Sequence, residues 1–552
     1  MTRHSVQGPS DVLLPAPDTT GLSPIALDGG DSGALSGARP RRAPSLNGSH
    51  RSPMPDGDGS AGDGAHRAGR LVVVSNRVPV PSDGASSSAG GLAVALDAAL
   101  KARGGVWFGW SGKTGASDPD ALSVIQAGPV TFAVSDLAKR DLDEYYAGFA
   151  NRALWPICHY RLDLAQFDRR HAAAYFRVNE FFARKLARLL RPDDVVWIHD
   201  YHFIPLAVTL RQMGFANRIG FFLHIPWPPS DVGSALPAYE TLLRSLTAYD
   251  VVGFHTEQDV ENFVGCLVRE GIGRPLDDGW YEALGRVFQV GAFPVSIDTE
   301  GFRHTAAAAD RAAVVRRTKE SLGTRKLLIG VDRLDYSKGI RQRIEAFCAF
   351  VNAHPEARNR VTYLQITPKS RSDVPEYKTM QREVAEQIGA TNGAFGDVDW
   401  TPIRYVNKAV AHSALAGLYR LARVGLVTPL RDGMNLVAKE FVAAQTEEDP
   451  GVLVLSRFAG ACHELEGALL VNPYDVEGTA AAIARALDMP VEERRERWTP
   501  MITHLKRFTA EHWCDMFLAA LSQPQPAVGA AEVDVIGFAP ADGDGAATHS
   551  TH

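Results

Sequence analysis

The architecture of this chain can be inferred from two stretches of its second half, Val331-Asp332-Arg333-Leu334-Asp335-Tyr336-Ser337-Lys338-Gly339 and Thr428-Pro429-Leu430-Arg431-Asp432-Gly433-Met434-Asn435-Leu436-Val437-Ala438-Lys439-Glu440. An apolar, strand-like run precedes each stretch, and charged groups then fall in a turn before a helical pattern begins. In an open α/β sheet, this junction lies outside the carboxyl ends of the strands, where ligands bind. Arg333 and Lys338 suit a diphosphate, since arginine can grip phosphate oxygens bidentately and lysine adds a point charge. The two stretches therefore predict a site for a ligand that carries phosphate.

Composition predicts a large enzyme with at least two domains. The chain has 552 residues, of which 45% are hydrophobic, enough to fill more than one core. A net charge of -6 gives no basic footprint for nucleic acid. No apolar run approaches the roughly 20 residues that span a bilayer, and Pro15 interrupts the first short apolar run. Five scattered cysteines without CxxC spacing indicate reduced thiols. We therefore expect a cytoplasmic protein that binds neither nucleic acid nor membrane.

Strand-like and helix-like runs alternate in two series, and this alternation predicts parallel sheets in an α/β fold. The expected strands are 71–75, 195–199, 219–225 and 251–255 in the first series, and 326–331, 361–367, 424–428, 452–456 and 468–472 in the second. Helical spacing of apolar residues follows the first strand at 91–102. Two such series predict two facing Rossmann-like domains, at 69–315 and 316–505. A last helix, 506–523, is expected to return to the first domain.

The two ends of the chain differ in composition from the rest. Residues 1–68 are rich in Gly, Ser, Pro, Ala and Asp and contain almost no aromatic residues, and residues 524–552 are similar. Such segments cannot bury enough apolar surface to offset the entropy of ordering. We therefore predict a disordered tail at each end.

Polar residues at the ends of the expected strands are the candidate site residues. They are Asp200, His224 and Asp432. Each has a structural alternative, because an aspartate after a strand is often a helix cap and a histidine in an apolar run is usually a core residue. The pair Gly90-Gly91 would let backbone N–H groups approach an anion at a helix N-terminus, although an ordinary turn is the alternative. The joint occurrence of these groups in two Rossmann-like halves favours a function.

Two sequence patterns invite a metal site, and neither is favoured. Asp-x-Asp occurs at Asp141 and Asp143 and again at Asp397 and Asp399, but neither pair follows a clean apolar strand. Solvated helix starts or turns are the better interpretation. The segment 199–202, His-Asp-Tyr-His, alternates between two faces if it is extended, so that only part of it can converge on one ion. We expect no metal.

Taken in order, the motifs of the chain resemble those of the trehalose-6-phosphate synthase family, retaining glycosyltransferases of the GT-B fold classed as glycosyltransferase family 20. The resemblance runs from about Leu71 to the last helix. It is carried by Ser75-Asn76-Arg77, Ala89-Gly90-Gly91-Leu92, Trp107-Phe108-Gly109-Trp110-Ser111-Gly112, Asp143-Glu144-Tyr145-Tyr146, Leu154-Trp155-Pro156, Trp197-Ile198-His199-Asp200-Tyr201-His202, Phe222-Leu223-His224-Ile225-Pro226 and the two stretches quoted above. So many separated motifs in one order are specific, whereas any single one would be weak.

The resemblance implies where an acceptor, glucose 6-phosphate, would bind. It makes the first domain, 69–315, the acceptor-binding domain. The residues implied to hold the acceptor phosphate are Arg77, Tyr146, Trp155 and Arg371. Asp200 is implied to bind acceptor hydroxyls.

The resemblance also implies a nucleotide-sugar site in the second domain, 316–505. The donor would rest against Gly90-Gly91, with its diphosphate on Arg333 and Lys338 and its glucose on His224 and Asp432. The residues implied for phosphate and nucleoside are Leu436, Val437, Ala438, Lys439 and Glu440, with Glu440 on the ribose hydroxyls. Val410 stands where the family has an aromatic residue beside the base. The implied catalytic set is Asp200, His224, Arg333, Lys338 and Asp432, without a metal or cofactor.

The implied reaction transfers glucose from a nucleotide sugar to glucose 6-phosphate with retention and gives trehalose 6-phosphate. UDP-glucose is the expected donor, and the sequence leaves GDP- and ADP-glucose open. A retaining glycosidase would need two carboxylates about 5 to 5.5 Å apart. The strand ends offer no evident pair, which favours the family's front-face displacement, in which the leaving phosphate helps to deprotonate the acceptor.

Two alternatives remain open at the level of sequence. One is a related transferase with another acceptor, such as a glucosylglycerol-phosphate synthase or a pseudo-glycosyltransferase, against which the full acceptor-phosphate set argues. The other is a non-catalytic regulatory subunit, against which the retained charged residues argue. No phosphatase motif follows the transferase domain, so we expect a separate trehalose-phosphate phosphatase to act downstream. A homo-oligomer is left open.

Overall fold

The computed structural model describes residues 69–81, 96–97, 99–101, 103–115, 121–369 and 375–526. Gly90, Gly91 and Arg371 lie outside the described residues, as do the predicted tail 1–68 and residues 527–552 of the other tail. The predicted helix 91–102 is described only in part, and there Leu96 and Leu100 are helical and buried, as the apolar spacing predicts.

Within the described residues, the strands form two sheets. The first has ten strands in the order β3-β4-β2-β1-β5-β6-β7-β10-β9-β8, and the second has six in the order β13-β12-β11-β14-β15-β16. The strands of the first sheet are β1 Leu71–Arg77, β2 Gly105–Thr114, β3 Ser123–Ala127, β4 Val130–Leu137, β5 Val195–His199, β6 Arg218–Phe222, β7 Val251–Phe254, β8 Arg274–Pro275, β9 Trp280–Ala283 and β10 Arg286–Ala292. Those of the second sheet are β11 Lys326–Val331, β12 Val361–Ile366, β13 Ile403–Val406, β14 Val424–Val427, β15 Val452–Ser456 and β16 Leu469–Val471.

Helices connect and cover these strands. They are α1 Lys139–Asp141, α2 Trp155–Cys158, α3 Arg169–Ala187, α4 Leu206–Gln212, α5 Ser230–Gly233, α6 Tyr239–Leu246, α7 Glu257–Arg269, α8 Thr299–Ala309, α9 Ala313–Leu322, α10 Ile340–Ala353, α11 Pro375–Phe395, α12 His412–Leu421, α13 Leu436–Ala444, α14 Val476–Asp488, α15 Val491–Arg507 and α16 Ala510–Ser522. A π-helix, Leu142–Leu154, joins α1 to α2. None of the described helices is both long and apolar enough to cross a membrane.

The prediction of an α/β fold with parallel sheets is confirmed for the centre of both sheets. Every pairing in the second sheet is parallel, as are those that run from β4 through β2, β1, β5, β6 and β7 to β10. The central strand β1 is buried at six of its seven positions, because helices cover both faces of a parallel sheet. The strand predicted at 71–75 from its run of apolar residues is therefore confirmed.

Six strands of the first sheet, β2, β3, β4, β8, β9 and β10, were not predicted, and neither was β13 of the second sheet. β3 pairs antiparallel with β4, and β9 pairs antiparallel with both β10 and β8. These are local hairpins with turns at Gly128 and Gly285, which have φ of 58° and 70°. None of the five residues of β3 is buried, so its sequence lacks the apolar run by which the central strands are recognised.

The last helix, α16, returns to the first sheet, as expected. Phe517 stacks on Trp197 of β5 at a centroid distance of 4.6 Å and an interplanar angle of 11°. Gly220 of β6 and Gly253 of β7 make room for it, because a Cβ on either residue would lie within 2.7 Å of the Phe517 ring. The chain leaves the first sheet at Ala292 and enters the second at Lys326. The boundary at residues 315 and 316 stays a prediction.

Candidate active site

The loop after β11 holds Lys338 in a fixed turn. The Asp335 carboxylate accepts a hydrogen bond from the backbone N–H of Ser337 at 3.0 Å and begins a short 3₁₀ turn, Tyr336–Lys338. Gly339 ends this turn in the left-handed region, at φ 63°, where glycine is favoured. A Cβ at Gly339 would also lie 2.3 Å from the carbonyl oxygen of Thr428. The glycine thus lets the two stretches that suggested the site pack directly against each other.

Lys338 forms an ion pair with Asp432, the aspartate that follows the neighbouring strand β14. The Lys338 Nζ lies 2.5 Å from Asp432 Oδ2, and each side chain is 12% exposed. Burial alone would raise the pKa of Asp432, but the charge and hydrogen bond of Lys338 outweigh it, and the pKa is lowered. Asp432 is therefore ionised at neutral pH, and the ammonium of Lys338 is held at the open end of the second sheet.

Asn435 links Asp432 to the helix that follows it. Its amide nitrogen donates to Asp432 Oδ2 at 2.9 Å, and its Oδ1 accepts from the backbone N–H of Ala438 at 3.2 Å, which caps α13. The residue lies in the left-handed region at φ 80°, which asparagine tolerates better than most residues. The N-terminus of α13, with the partial positive charge of its free N–H groups, is thereby fixed next to Lys338, an arrangement that suits an anion.

The other residues predicted to bind the nucleotide-sugar donor differ from one another in burial. The Arg333 side chain is exposed, Val410 is half-buried, and Glu440 is 10% exposed with its Oε1 3.5 Å from His412 Nε2. Hydrogen bonding to Glu440 raises the pKa of His412. Glu440 lies in the middle of α13 and faces His412, the first residue of α12. Leu436 and Val437 are half-buried in the first turn of that helix, followed by the buried Ala438.

Lys439 points into the protein rather than toward this end of the sheet. Its side chain is fully buried, and Nζ donates to the Val295 carbonyl at 2.7 Å and lies 2.7 Å from a carboxylate oxygen of Glu464. Burial lowers the pKa of Lys439, while Glu464 opposes that shift. The side chain of Lys439 therefore anchors α13 to the segment after β10, and only the backbone of this residue can face a ligand.

Asp200 and His224 meet at the carboxyl ends of β5 and β6, which are neighbours in the first sheet. The Asp200 N–H donates to the Phe222 carbonyl at 2.7 Å, and its Oδ1 lies 3.3 Å from the backbone nitrogen of His224. Asp200 adopts φ 76°, an unusual conformation for a residue that is not glycine. Such backbone strain is commonly found at functional sites.

His224 is one of three neighbouring histidines. His199 Nδ1 lies 3.0 Å from His224 Nε2, and the ring of His255 lies 5.4 Å from that of His224 between centroids. Burial lowers the pKa of His199 and of His255 to about 3 and lowers that of His224 as well. All three rings are neutral at physiological pH.

The two sheets approach each other at Gly433. A Cβ on this residue would lie 2.8 Å from the His224 carbonyl oxygen and 2.9 Å from the ring of His255. Asp432, which precedes Gly433, is thus brought next to His224 even though the two residues follow strands of different sheets. The two residues predicted to bind glucose therefore lie on either side of this contact between the loops of the two sheets.

Three of the four residues predicted to hold the acceptor phosphate are described, and two of them, Tyr146 and Trp155, contact loops at the strand ends. Tyr146, within the π-helix, stacks on His202 at 5.7 Å with an interplanar angle of 13°. Trp155 begins α2, and its indole N–H is 3.4 Å from Asp335 Oδ1, so that it reaches the loop that carries Lys338. π-Helical segments are rare and occur frequently at functional sites. Arg77 is exposed at the end of β1, beside Gly112.

Several residues of the site were not predicted from the sequence. Asp335 joins Trp155 to the Lys338 loop, Asn435 joins Asp432 to α13, and His199 contacts His224. Only Asn435, a cap residue before an apolar run, carried a local signal that could have been used. The other contacts join residues far apart in sequence.

No metal site is evident in the described part of the chain, where the structure brings no three His, Cys, Asp or Glu side chains together as ligands. The four aspartates of the two Asp-x-Asp patterns lie at the start of the π-helix and in the turn 397–400, as the preferred interpretation held. The paired charges that remain, Lys338 and Asp432 above all, suit a phosphorylated sugar ligand.

Two facing α/β halves with cationic and anionic side chains at their strand ends define a sugar-transferring enzyme of the GT-B architecture. The chain belongs to glycosyltransferase family 20, whose model matches residues 69–523. It is 61% identical, over 82% of its length and 98% of the relative's, to trehalose-6-phosphate synthase of Sinorhizobium fredii.

Solved structures show the same similarity. A UDP-forming alpha,alpha-trehalose-phosphate synthase from Burkholderia xenovorans, in complex with glucose-6-phosphate, is 47% identical, with a TM-score of 0.80 over 82% of this chain and 100% of that chain. A chain from Escherichia coli bound with UDP-2-fluoro glucose is 44% identical, with a TM-score of 0.79 over 83% and 100%. The fold and the enzyme class expected from the sequence are confirmed.

Proposed function

We propose that this chain transfers glucose from UDP-glucose to glucose 6-phosphate with retention of configuration and releases trehalose 6-phosphate and UDP. One observation supports this most directly: the indole N–H of Trp155, from the acceptor set, reaches Asp335, whose loop presents Lys338 to Asp432 in the donor set. This contact supports the interpretation of the two predicted sites as parts of a single cleft. The relatives reported above carry the same activity in their names.

The charges of the cleft fit the demands of the reaction. Breaking the bond between glucose and the diphosphate builds negative charge on the leaving group and positive charge on the sugar. Lys338 and Arg333 would stabilise the leaving diphosphate, since preorganised cations at the place where charge develops lower the barrier. Asp432 and His224 would bind the transferred glucose, and Asp200 the hydroxyls of the acceptor.

The proton of the acceptor hydroxyl needs a base on the same face of the sugar. The residues assigned above offer no second carboxylate in the role of a nucleophile, so the leaving phosphate oxygen is the group that takes this proton. Arg77, Tyr146, Trp155 and Arg371 would hold the acceptor phosphate in place. Holding both substrates in one closed cleft would also keep water from hydrolysing the donor.

A product assay tests the proposal directly. Purified protein is incubated with glucose 6-phosphate and, in parallel, UDP-, GDP- or ADP-glucose, and trehalose 6-phosphate is measured by mass spectrometry. We expect product with UDP-glucose and the α,α-configuration by NMR. A panel that replaces glucose 6-phosphate with glycerol 3-phosphate and other sugar phosphates distinguishes the related transferases. Absence of product with every donor would contradict the proposal.

The acceptor assignment has its own test. Arg371→Ala should raise the KM for glucose 6-phosphate much more than the KM for UDP-glucose, because it removes a cation assigned to the acceptor phosphate. Arg382→Ala is a matched control, since Arg382 lies exposed on α11 beside Glu386. Equal effects of Arg371→Ala on both KM values would contradict the assignment.

Three further expectations from the sequence stay predictions. They are a separate phosphatase that consumes the product, a cytoplasmic location, and a homo-oligomeric state, which the sequence left open.

A further inference from the structure

Behind His224 lies a second imidazole that the mechanism above does not use. His199 is the last residue of β5 and is 1% exposed. Its Nδ1 lies 3.0 Å from His224 Nε2, with the two rings inclined by 24° and their centroids 5.3 Å apart. Only hydrogen-bonding distance separates the two nitrogens, so one of them must carry the proton that lies between them.

Both rings are neutral, which makes the direction of this hydrogen bond a matter of tautomers. Burial lowers the pKa of His199 to about 3, and burial, followed by His199 and His255, lowers the pKa of His224. In a neutral imidazole one nitrogen donates and the other accepts. If His199 Nδ1 donates, His224 Nε2 accepts, and His224 must carry its own proton on Nδ1. If His224 donates instead, its proton lies on Nε2.

The surroundings of His199 select the first direction. Its Nε2 is buried and has no hydrogen-bond partner among the residues that the structure describes. The ring lies instead against Trp197, with Trp513 next to it, at centroid distances of 4.5 and 6.2 Å. Buried N–H groups without an acceptor are rare, whereas an unpaired lone pair is tolerated more often. The proton of His199 therefore belongs on Nδ1, where His224 Nε2 accepts it.

His224 is accessible where His199 is not. The residue is partly exposed, and its backbone carbonyl lies near Gly433 and so near Asp432. His255, the third histidine, is hydrogen-bonded to the backbone of His224 rather than to its ring. With Nε2 occupied by His199, Nδ1 is the ring nitrogen that remains for a ligand.

We propose that His199 is a positioning residue that fixes His224 as the Nδ1–H tautomer, so that a neutral N–H donor meets a hydroxyl of the hexose in the nucleotide sugar. The proposal deepens the proposed function and rests on it for the identity of the ligand. A hydroxyl can accept this hydrogen bond as well as donate, whereas the opposite tautomer would offer only a lone pair. Loss of His199 would therefore weaken binding of the glucose moiety of the donor and leave binding of the nucleotide moiety unchanged.

The tautomer can be observed without any turnover. In protein labelled with ¹⁵N-histidine, the chemical shifts of the two ring nitrogens distinguish Nδ1–H from Nε2–H. We expect His199 and His224 of the wild type to be Nδ1–H. His199→Leu removes the donor and should release His224 into a mixture of tautomers. His199→Asn places an amide N–H near the former Nδ1 and should keep His224 in the Nδ1–H form.

Binding separates a positioning role from a structural one. We expect His199→Leu to bind UDP within about twofold of the wild type, since UDP has no hexose. Its affinity for UDP-glucose, and kcat/KM for that donor, should fall about tenfold, the low end of the range known for hydrogen-bond partners of metal-ligating histidines. His199→Asn should recover most of this loss. Tyr249→Phe is the matched control: it removes a buried hydrogen bond to the Phe203 carbonyl and should not change donor binding.

Three results would overturn the proposal. They are an Nε2–H tautomer of His224 in the wild type, an equal loss of UDP and UDP-glucose binding in His199→Leu, and a His199→Asn variant no better than His199→Leu. Should His199→Leu fail to fold, the wild-type spectrum and His199→Asn still decide. A wild type that shows the expected tautomer but forms no trehalose 6-phosphate would contradict the proposed function and leave the role of His199 in fixing the tautomer standing.

Discussion

At the scale of single residues, the site depends on side chains whose charge state is fixed by their immediate partners. Lys338 Nζ and Asp432 Oδ2 lie 2.5 Å apart, in a place where each side chain is only 12% exposed, and Lys338 lowers the pKa of Asp432. A buried pair of this kind adds little to stability, because desolvation offsets the attraction. Its value is positional: the lysine side chain is held in place before any substrate binds.

Lys338→Ala should lower kcat by roughly 10²–10³, the usual cost of removing one preorganised group that stabilises developing charge. The KM for the nucleotide sugar should rise less, because the interaction is stronger in the transition state than in the ground state. Lys338→Arg should recover only part, since a planar fork does not replace a compact ammonium. Steady-state kinetics, with the exposed Lys378→Ala as control, measure both constants. A change of only a few-fold in kcat would remove Lys338 from the mechanism.

The buried histidines should make the protein sensitive to acid. Their folded pKa values, about 3 for His199 and His255 and about 4 for His159, lie below the ordinary value of 6.5. The unfolded chain therefore binds more protons below pH 6.5, and stability, complete above that pH, falls as the pH drops toward 4. Burial of Asp259 raises its pKa to about 6, so this carboxyl group adds stability as the pH falls toward 4. One such carboxyl group does not offset the three histidines.

Urea unfolding at pH 7, 6 and 5 measures this effect. In His199→Leu, the slope of unfolding free energy against pH near pH 5 should be smaller by about 1.4 kcal/mol per pH unit, the value for one proton. The exposed Val268→Ala, which removes no titrating group, should leave the slope unchanged. An unchanged slope in His199→Leu would show that His199 is protonated in the folded protein.

At the scale of secondary structure elements, two short segments do most of the positioning. The π-helix Leu142–Leu154 brings Tyr146 over His202 and delivers Trp155 to the Lys338 loop. The cap of α13 orients the N-terminus of that helix and contacts Asp432 at the same time. Both depend on local backbone geometry that a regular α-helix would not provide.

The double function of Asn435 can be separated by substitution. Asn435→Ala should cost about 1 kcal/mol of stability through the lost cap and should also lower activity with the nucleotide sugar. Asn435→Gly suits the left-handed backbone and should restore most of the stability but not the activity, because the contact with Asp432 stays absent. Asp475→Ala, which removes the cap of α14, should lower the melting temperature similarly and leave kcat unchanged. Thermal melts and kinetics of the three variants test this; full activity in Asn435→Gly would contradict it.

At the scale of the whole molecule, the site exists because the two sheets come within van der Waals contact at Gly433. The absence of a side chain there lets the loop after β14 touch the carbonyl of His224 and the ring of His255. No other residue type fits without moving one sheet relative to the other or displacing His255.

Gly433→Ala should therefore separate Asp432 from His224 and lower kcat/KM for the nucleotide sugar by about tenfold or more, since small displacements of reacting groups are costly. Gly389→Ala is the control, because a Cβ at this position in α11 would meet no atom within 4 Å. That substitution should be neutral or slightly stabilising. Kinetics and thermal melts of both variants check the prediction, which fails if Gly433→Ala is as active as the wild type.

The charge balance of the cleft also predicts how the enzyme responds to chelation. If Arg333 and Lys338 neutralise the leaving diphosphate, EDTA should leave most of the activity in place. The measurement is the rate of product formation with and without EDTA, followed by addition of Mg²⁺ or Mn²⁺. Activity that is abolished by EDTA and restored by a metal would instead favour the Asp-x-Asp interpretation at Asp141 and Asp143 or at Asp397 and Asp399.

Local sequence was enough to predict the alternation of central strands and helices, the return of the last helix and the strand-end residues Asp200, His224 and Asp432. The reason is that parallel strands buried on both faces are continuous apolar runs, and ligand sites follow their carboxyl ends. Family resemblance added the substrates and their implied residues. The edge strand β3 escaped prediction because none of its residues is buried and it has no such run.

The contacts between distant parts of the chain became visible only in the tertiary structure. Asp335 meets Trp155 across 180 positions, and Gly433 meets His224 across two sheets. The same holds for the inward side chain of Lys439 and for the hydrogen bond between His199 and His224. Apolar periodicity reports which face of an element is buried, but it carries no information on which buried groups of other elements lie opposite. Folding brings those groups together, and the distances between them determine their charge states and the directions of their hydrogen bonds.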